Sequence, residues 1–199
     1  MVSKEQILEC AFGCIKENGV KRFRLEELAR KLHISKKTVY EFFENKNDLI
    51  VCSIDAGFGK LIERLDRKAL KCENPLHAFY SLAVDACNFF VSMPCYVMEE
   101  LKNNKVTAKC VEKLFSALDR IAKEELTMAV NEGLVISGVD LQLMAGLLKD
   151  QFKIYDTIEG SRYTLAEISF YRIATILNGV ATEKGRTEID KLMSGERDL

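Results

Sequence analysis

The stretch LEELARKLHISKKTVYEFF, residues 25–43, decides the fold. Leu25, Leu28, Ala29 and Leu32 recur at i, i+3, i+4 and i+7, which is the spacing of one buried face on a two-turn helix. His33, Ile34 and Ser35 leave a connection of only three residues before a second short helix from Lys36 to Phe43. Ser35 stands where a hydroxyl satisfies the free N–H groups of a helix start. Two short helices joined this tightly form a helix-turn-helix. The leucines of the first helix brace the second, and Val39 and Phe43 anchor the second inward. Lys36, Lys37, Thr38 and Glu41 then face outward. A helix start carrying such side chains fits a DNA major groove, and its unpaired N–H groups and dipole attract phosphate.

Outward from this motif the chain reads as helices joined by short loops. Ser3 to Asn18 opens with a capping-box pattern, Ser3 followed by Gln6, and closes at Asn18-Gly19. A longer helix runs from Lys46 toward Cys72 and stops at Glu73-Asn74-Pro75, where Pro75 opens the next, which continues to Met93. Pro94 begins a shorter segment ending at Asn103-Asn104, and Val106 to Asn131 is helical again. Asp140–Ile158 and Thr164–Asn178 are the last two long helices, and the polar tail from Thr182 is expected to fray. No strand alternation persists and no internal repeat is visible. The expected fold is all-α with about nine helices: a helix-turn-helix domain over residues 1–60, its motif at 24–43, then a larger helical domain over 61–199.

Charge is unevenly placed. Residues 1–50 hold ten Lys/Arg against eight Asp/Glu, a balance of +2, so the remaining residues carry −3 of the net −1. From Lys21 to Tyr40 the excess sharpens: Lys21, Arg22, Arg24, Arg30, Lys31, Lys36 and Lys37 face only Glu26 and Glu27. A basic patch at one end of a nearly neutral chain suits a phosphate-backbone contact confined to that end. The seven cysteines are odd in number and form no C-x-x-C, so they read as reduced, small apolar fillers in a cytoplasmic protein. The apolar run from Leu76 to Met98 contains Asp85 and Asn88 and breaks at Pro94, the pattern of a buried core helix; no membrane partner is expected.

The wider pattern resembles the DNA-binding domain of the TetR family of bacterial transcription regulators. Ile7-Leu8 through Phe12, Gly19, Leu28-Ala29, Ile34-Ser35, Thr38-Val39-Tyr40, Phe43, Lys46 and Leu49 carry the likeness, over roughly residues 3 to 60. The resemblance implies that Thr38 and Tyr40 touch backbone phosphates, with core packing the alternative for Tyr40. It also implies that Lys46 pins a further phosphate, and that Lys36 and Lys37 lie where family members reach base edges. Arg24 stands where the family often has a Thr or Ser cap, and His33 and Lys37 stand where it often has Gly. Beyond residue 60, Asn131-Glu132-Gly133-Leu134-Val135 and Leu177-Asn178-Gly179-Val180-Ala181-Thr182 resemble the turn after the family's seventh helix and the end of its ninth.

That likeness implies a bacterial repressor acting as a homodimer on operator DNA, with a small-molecule effector in the second domain. The DNA-contacting set is then Arg24, Lys36, Lys37, Thr38, Tyr40, Glu41 and Lys46. Effector-pocket candidates are Phe79, Tyr80, Ala83, Cys87, Phe90, Phe115 and Met144. Dimer-interface candidates are Leu143, Leu147, Ile154, Ile168, Tyr171, Ile173 and Leu177. No cofactor and no metal is implied. A thiol-based redox or metal sensor on the same DNA-binding domain is the alternative, because Cys10 and Cys14 lie four apart on one helical face. Catalysis is the remote alternative, resting on Cys87 or Cys95. The two histidines, His33 and His77, have no thiol partner in sequence context, and neither a Gly-rich phosphate loop nor H-E-x-x-H is present.

Overall fold

A computed structural model describes residues 2–72, 74–151 and 165–195. Among them lie ten helices: α1 Lys4–Asn18, α2 Leu25–Lys31, α3 Lys36–Tyr40, α4 Lys46–Ala69, α5 Pro75–Val91, α6 Cys95–Asn103, α7 Ala108–Asn131, α8 Leu141–Gln151, α9 Leu165–Val180 and α10 Glu183–Gly195. The described residues contain no strand, only one antiparallel bridge between Val135 and Ala181. No single helix among them is long and apolar enough to cross a membrane. The chain divides into two compact units, 1–62 with 92–115, and 63–91 with 116–199.

In the first unit, α1 starts as its sequence dictates. The Ser3 side chain accepts from the Gln6 N–H at 3.2 Å, and the Gln6 side chain accepts from the Ser3 N–H at 2.8 Å. Ile7, Ala11 and Ile15 then bury one stripe against α2 and α4 residues such as Leu28 and Ile54. Gly57 lets α4 approach α1 closely, since a Cβ there would stand 2.5 Å from the Phe12 ring. That ring packs edge-on to Phe58 with centroids 5.9 Å apart. Helix α6 belongs to this unit through fully buried Val97 and Leu101. Its Tyr96 hydroxyl donates to the Glu17 carbonyl at 3.2 Å, and its Glu100 carboxylate accepts from the Lys21 N–H.

In the second unit, α5, α9 and α10 pack around Leu76, Phe79, Ile173 and Leu177, with Leu126 and Ala129 of α7 completing the core. The turn after α7 uses Gly133 at φ +68°, a left-handed conformation that glycine adopts at no steric cost. This turn meets the end of α9. The Ile136 N–H donates to the Val180 carbonyl at 3.0 Å, and Thr182 N–H donates to the Leu134 carbonyl at 2.9 Å.

Two expectations change here. The tail from Thr182 does not fray but forms α10, because Ile189, Leu192 and Met193 fall at i, i+3 and i+4 and dock on the core. Gly185 makes that docking possible, since a Cβ would stand 2.0 Å from the Leu134 carbonyl oxygen. Helix α3 ends at Tyr40 rather than Phe43, and Glu41 to Phe43 close it as a turn that still buries Phe43.

Candidate functional site

The helix-turn-helix is built from α2 and α3. Leu25, Leu28 and Ala29 bury the inner face of α2, while Val39 and Phe43 sink the α3 end into the same core. The Ser35 hydroxyl accepts from the Thr38 N–H at 3.0 Å and lies 3.0 Å from the Thr38 hydroxyl, so the start of α3 is capped as its sequence predicts. Between the helices, His33 holds φ +54°, the left-handed region that favours glycine. The family's glycine at this position therefore has a backbone reason that histidine meets under strain. Arg24 sits at the N-cap of α2 in extended conformation and gives no side-chain cap.

Lys36, Lys37 and Glu41 are exposed, and Thr38 is half-buried. Tyr40 is 49% exposed, which sets aside the core-packing alternative and leaves its ring on the same face. Arg24 is also on the surface. Two of these cations already have intramolecular partners. The Lys36 ammonium lies 2.8 Å from the Glu26 carboxylate. The Lys46 ammonium donates to the Phe23 carbonyl at 2.8 Å and stands over the Phe23 ring, 5.6 Å from its centroid. Glu26 and Phe23 are functional neighbours that sequence reading missed. Asn45 is another: its side chain accepts from the Asp48 N–H at 3.0 Å and caps α4, so Lys46 opens an ordered helix.

The second unit holds a narrow cavity of about 40 Å³. Leu65 of α4, Phe79, Ala83 and Ala86 of α5, Ala122 of α7 and Ala145 of α8 wall it, with Asp119 as a charged residue on its lining. Of the pocket candidates, Phe79 and Ala83 reach it. Tyr80, Cys87 and Met144 are buried in the adjoining core, and Phe90 is also buried. Phe115 belongs to the first unit, where the Lys102 ammonium stands 5.0 Å from its ring centroid, so it leaves the pocket set.

Residues 7–51 match the model of bacterial regulatory proteins of the tetR family. By that match and by its fold, the chain belongs to the TetR family. It is 20% identical over 186 residues to the fatty acid metabolism regulator protein of Bacillus subtilis, covering 88% of this chain and 94% of that one. Among solved structures it resembles the transcriptional regulator FadR from Bacillus subtilis in complex with stearoyl-CoA, with TM-score 0.73, 18% identity, and 89% and 100% of the two chains covered. It also resembles SmeT, the repressor of the Stenotrophomonas maltophilia multidrug efflux pump SmeDEF, with TM-score 0.71, 17% identity and 92% of both chains covered.

The interface candidates of this TetR-family chain divide. Leu143, Leu147 and Tyr171 are exposed by 62%, 40% and 56%, and Ile168 is half-buried. Ile173 and Leu177 have no exposed surface and lie in the protomer's own core, so they leave the interface set. Ile154 lies outside the described residues. All seven thiols are free, with only Cys95 fully on the surface. Burial, reinforced by Cys14, pushes the Cys10 thiol up, and burial with Asp55 pushes Cys110 up to about 11. Such thiols stay protonated and unreactive at neutral pH. The described residues hold no group of three or more His, Cys, Asp or Glu that could take a metal ion.

Proposed function

We propose that this TetR-family chain is a cytoplasmic repressor whose operator affinity is set by a small-molecule effector in its second domain. Residues 1–60 form the DNA-binding domain and 61–199 the effector and dimerisation domain. The observation that carries the reading is the capped α3, which turns Lys36, Lys37, Tyr40 and Glu41 outward while Val39 is buried. Arg24, Thr38 and Lys46 complete the DNA-facing set. Two copies place two such helices about 34 Å apart on a palindrome, since one motif spans too few bases to select a site. The enzyme reading has no support in the family or in the geometry of the site.

The effector cavity is lined almost wholly by apolar side chains, which favours a ligand with a hydrophobic body. A long acyl chain is the leading class, because the FadR structure holds stearoyl-CoA. Ligand sites usually span about 300–1,000 Å³, so the effector must widen this one, and widening is the conformational change that alters DNA affinity. The ligand and operator then oppose each other reciprocally, with a coupling of about 1–3 kcal/mol. The test is operator binding by the wild type and Lys46→Ala across a salt series, with and without stearoyl-CoA. We expect Lys46→Ala to weaken operator and unrelated duplex about equally and to lower the salt slope by roughly 0.9. An unchanged affinity and slope in Lys46→Ala would overturn the DNA assignment. Indifference of wild-type operator binding to stearoyl-CoA would overturn the acyl class.

A further inference from the structure

A second recess in the same unit is larger than the effector cavity and different in chemistry. It is a groove of about 870 Å³ between the end of α4, the start of α5 and the last turns of α7. Leu70, Pro75 and Met128 supply apolar wall, and Leu70 is 87% exposed at the rim. The charged residues on its lining are Asp66, Glu124, Glu125 and Glu132 against Arg120 and Lys123, four acids to two bases.

Both bases are already engaged. The Arg120 guanidinium donates to Asp66 at 3.0 and 3.2 Å and to Glu124 at 2.9 Å. Lys123 donates to the Gln142 side chain. Glu125 is different: its side chain is on the core-facing stripe of α7, three and four residues from Ala122 and Ile121, and the residue is only 4% exposed. Among the described residues it has neither a hydrogen-bond donor nor a paired cation. A buried carboxylate without a partner is costly, and most such groups in folded proteins are satisfied. Burial, and after it the charge of Glu124, holds its carboxyl above the ordinary value. The missing partner is thus a cation, and the groove is the only wall of Glu125 with space for one to arrive.

We propose that this groove binds a lipophilic cation, an organic ammonium whose charge pairs with Glu125 and whose apolar body lies against Leu70, Pro75 and Met128. The site is separate from the acyl-type effector cavity and gives the protein a second ligand class.

The test is calorimetric titration of the full-length protein at pH 8 with decylammonium, decanol and decanoate, each below its aggregation concentration. A charge-assisted contact to a buried acid is worth about tenfold or more, so decylammonium should bind at least about tenfold tighter than the other two. Glu125→Gln, which keeps the shape and removes the charge, should abolish that preference. Leu70→Arg changes only an exposed rim residue, and should weaken decylammonium while leaving decanol unchanged. Equal binding of the three probes, or an ammonium preference that survives either substitution, would overturn the proposal. Operator binding by the same variants without amine reads the DNA-facing assignment separately, so the two failures are distinguishable.

Discussion

The Lys36 ammonium of α3 lies 2.8 Å from the Glu26 carboxylate of α2, across the turn of the helix-turn-helix. The hydrogen bond between them, and then their opposite charges, lower Glu26 and raise Lys36 from their ordinary values. Both stay charged through the neutral range, so the pair is intact when DNA arrives. Lys36 must then exchange Glu26 for a phosphate or a base edge, leaving an acid beside the duplex.

Glu26→Gln should therefore strengthen binding to operator and to unrelated duplex, by releasing Lys36 and removing a negative charge near phosphate. Lys36→Ala should weaken operator binding, relax its sequence preference, and reduce the salt slope by roughly 0.9 if the contact is to phosphate. Fluorescence anisotropy across a salt series reads both. Weaker binding in Glu26→Gln would mean that the pair persists in the complex and positions α3.

His33 offers a test of backbone strain in the turn. An L-residue in the left-handed region costs about 1–2 kcal/mol, and glycine's extra unfolded-state freedom costs about 0.5–1 kcal/mol in return. His33→Gly should thus stabilise the protein by about 0.5–1 kcal/mol, seen as a higher denaturant midpoint at unchanged slope. A lower midpoint would show that the imidazole makes contacts worth more than the strain.

How much of this was legible in the sequence depends on whether the signal is local. The α2–α3 motif was, because apolar spacing and the Ser35 cap act within a few residues. The partners of its lysines were not. Glu26 lies ten residues from Lys36 and Phe23 lies 23 residues from Lys46, and only the folded turn brings them together. Helix α10 was missed because Ile189, Leu192 and Met193 are few among charges, and their docking rests on the close approach at Gly185. The pocket was half legible. Phe79 and Ala83 share a face of α5, but Leu65, Ala122 and Ala145 come from three other helices. Glu125 sits in the run Lys123-Glu124-Glu125, which reads as solvated charge until the helix phase puts it inward.

The close approach at Gly185 also makes a stability prediction. A methyl group there would push α10 off the Leu134 carbonyl, whose hydrogen bond from Thr182 ties the α9–α10 corner to the α7 turn. Gly185→Ala should destabilise by about 1–3 kcal/mol, the range for overpacking, and each kcal/mol lowers Tm by about 2–4 °C at this size. Unchanged Tm would mean that α10 shifts without cost and contributes little to the core.

Leu143, Leu147 and Tyr171 leave an apolar stripe uncovered on α8 and α9. If it is the dimer surface, a Leu143→Asp, Leu147→Asp double variant should sediment as a folded monomer and lose operator affinity while keeping its helical content. A variant that remains dimeric would move the interface elsewhere.

The last prediction concerns Glu125 and pH. Its carboxyl is raised by burial first and by Glu124 second, while the unfolded chain titrates near the ordinary 4.5. A carboxyl raised in the folded state binds its proton more tightly there than in the unfolded chain. Its contribution to stability is complete at pH values below the unfolded value and is lost as pH rises through the folded one. Above that window the native protein carries an unpaired buried charge beside Glu124, with Asp66 and Glu132 also on the groove wall and Arg120 engaged by Asp66 and Glu124. Glu125→Gln removes that charge and keeps the volume. Thermal unfolding of wild type and Glu125→Gln from pH 4 to pH 8 should therefore show the variant more stable at pH 8, with the advantage shrinking toward zero near pH 4. Decylammonium should raise the wild-type Tm at pH 8 and leave the variant's nearly unmoved, since a ligand that binds only the native state stabilises it in proportion to occupancy. A variant less stable than wild type at pH 8 would mean that the Glu125 carboxylate is already satisfied in solution, and the groove would then have no charge left to offer a cation.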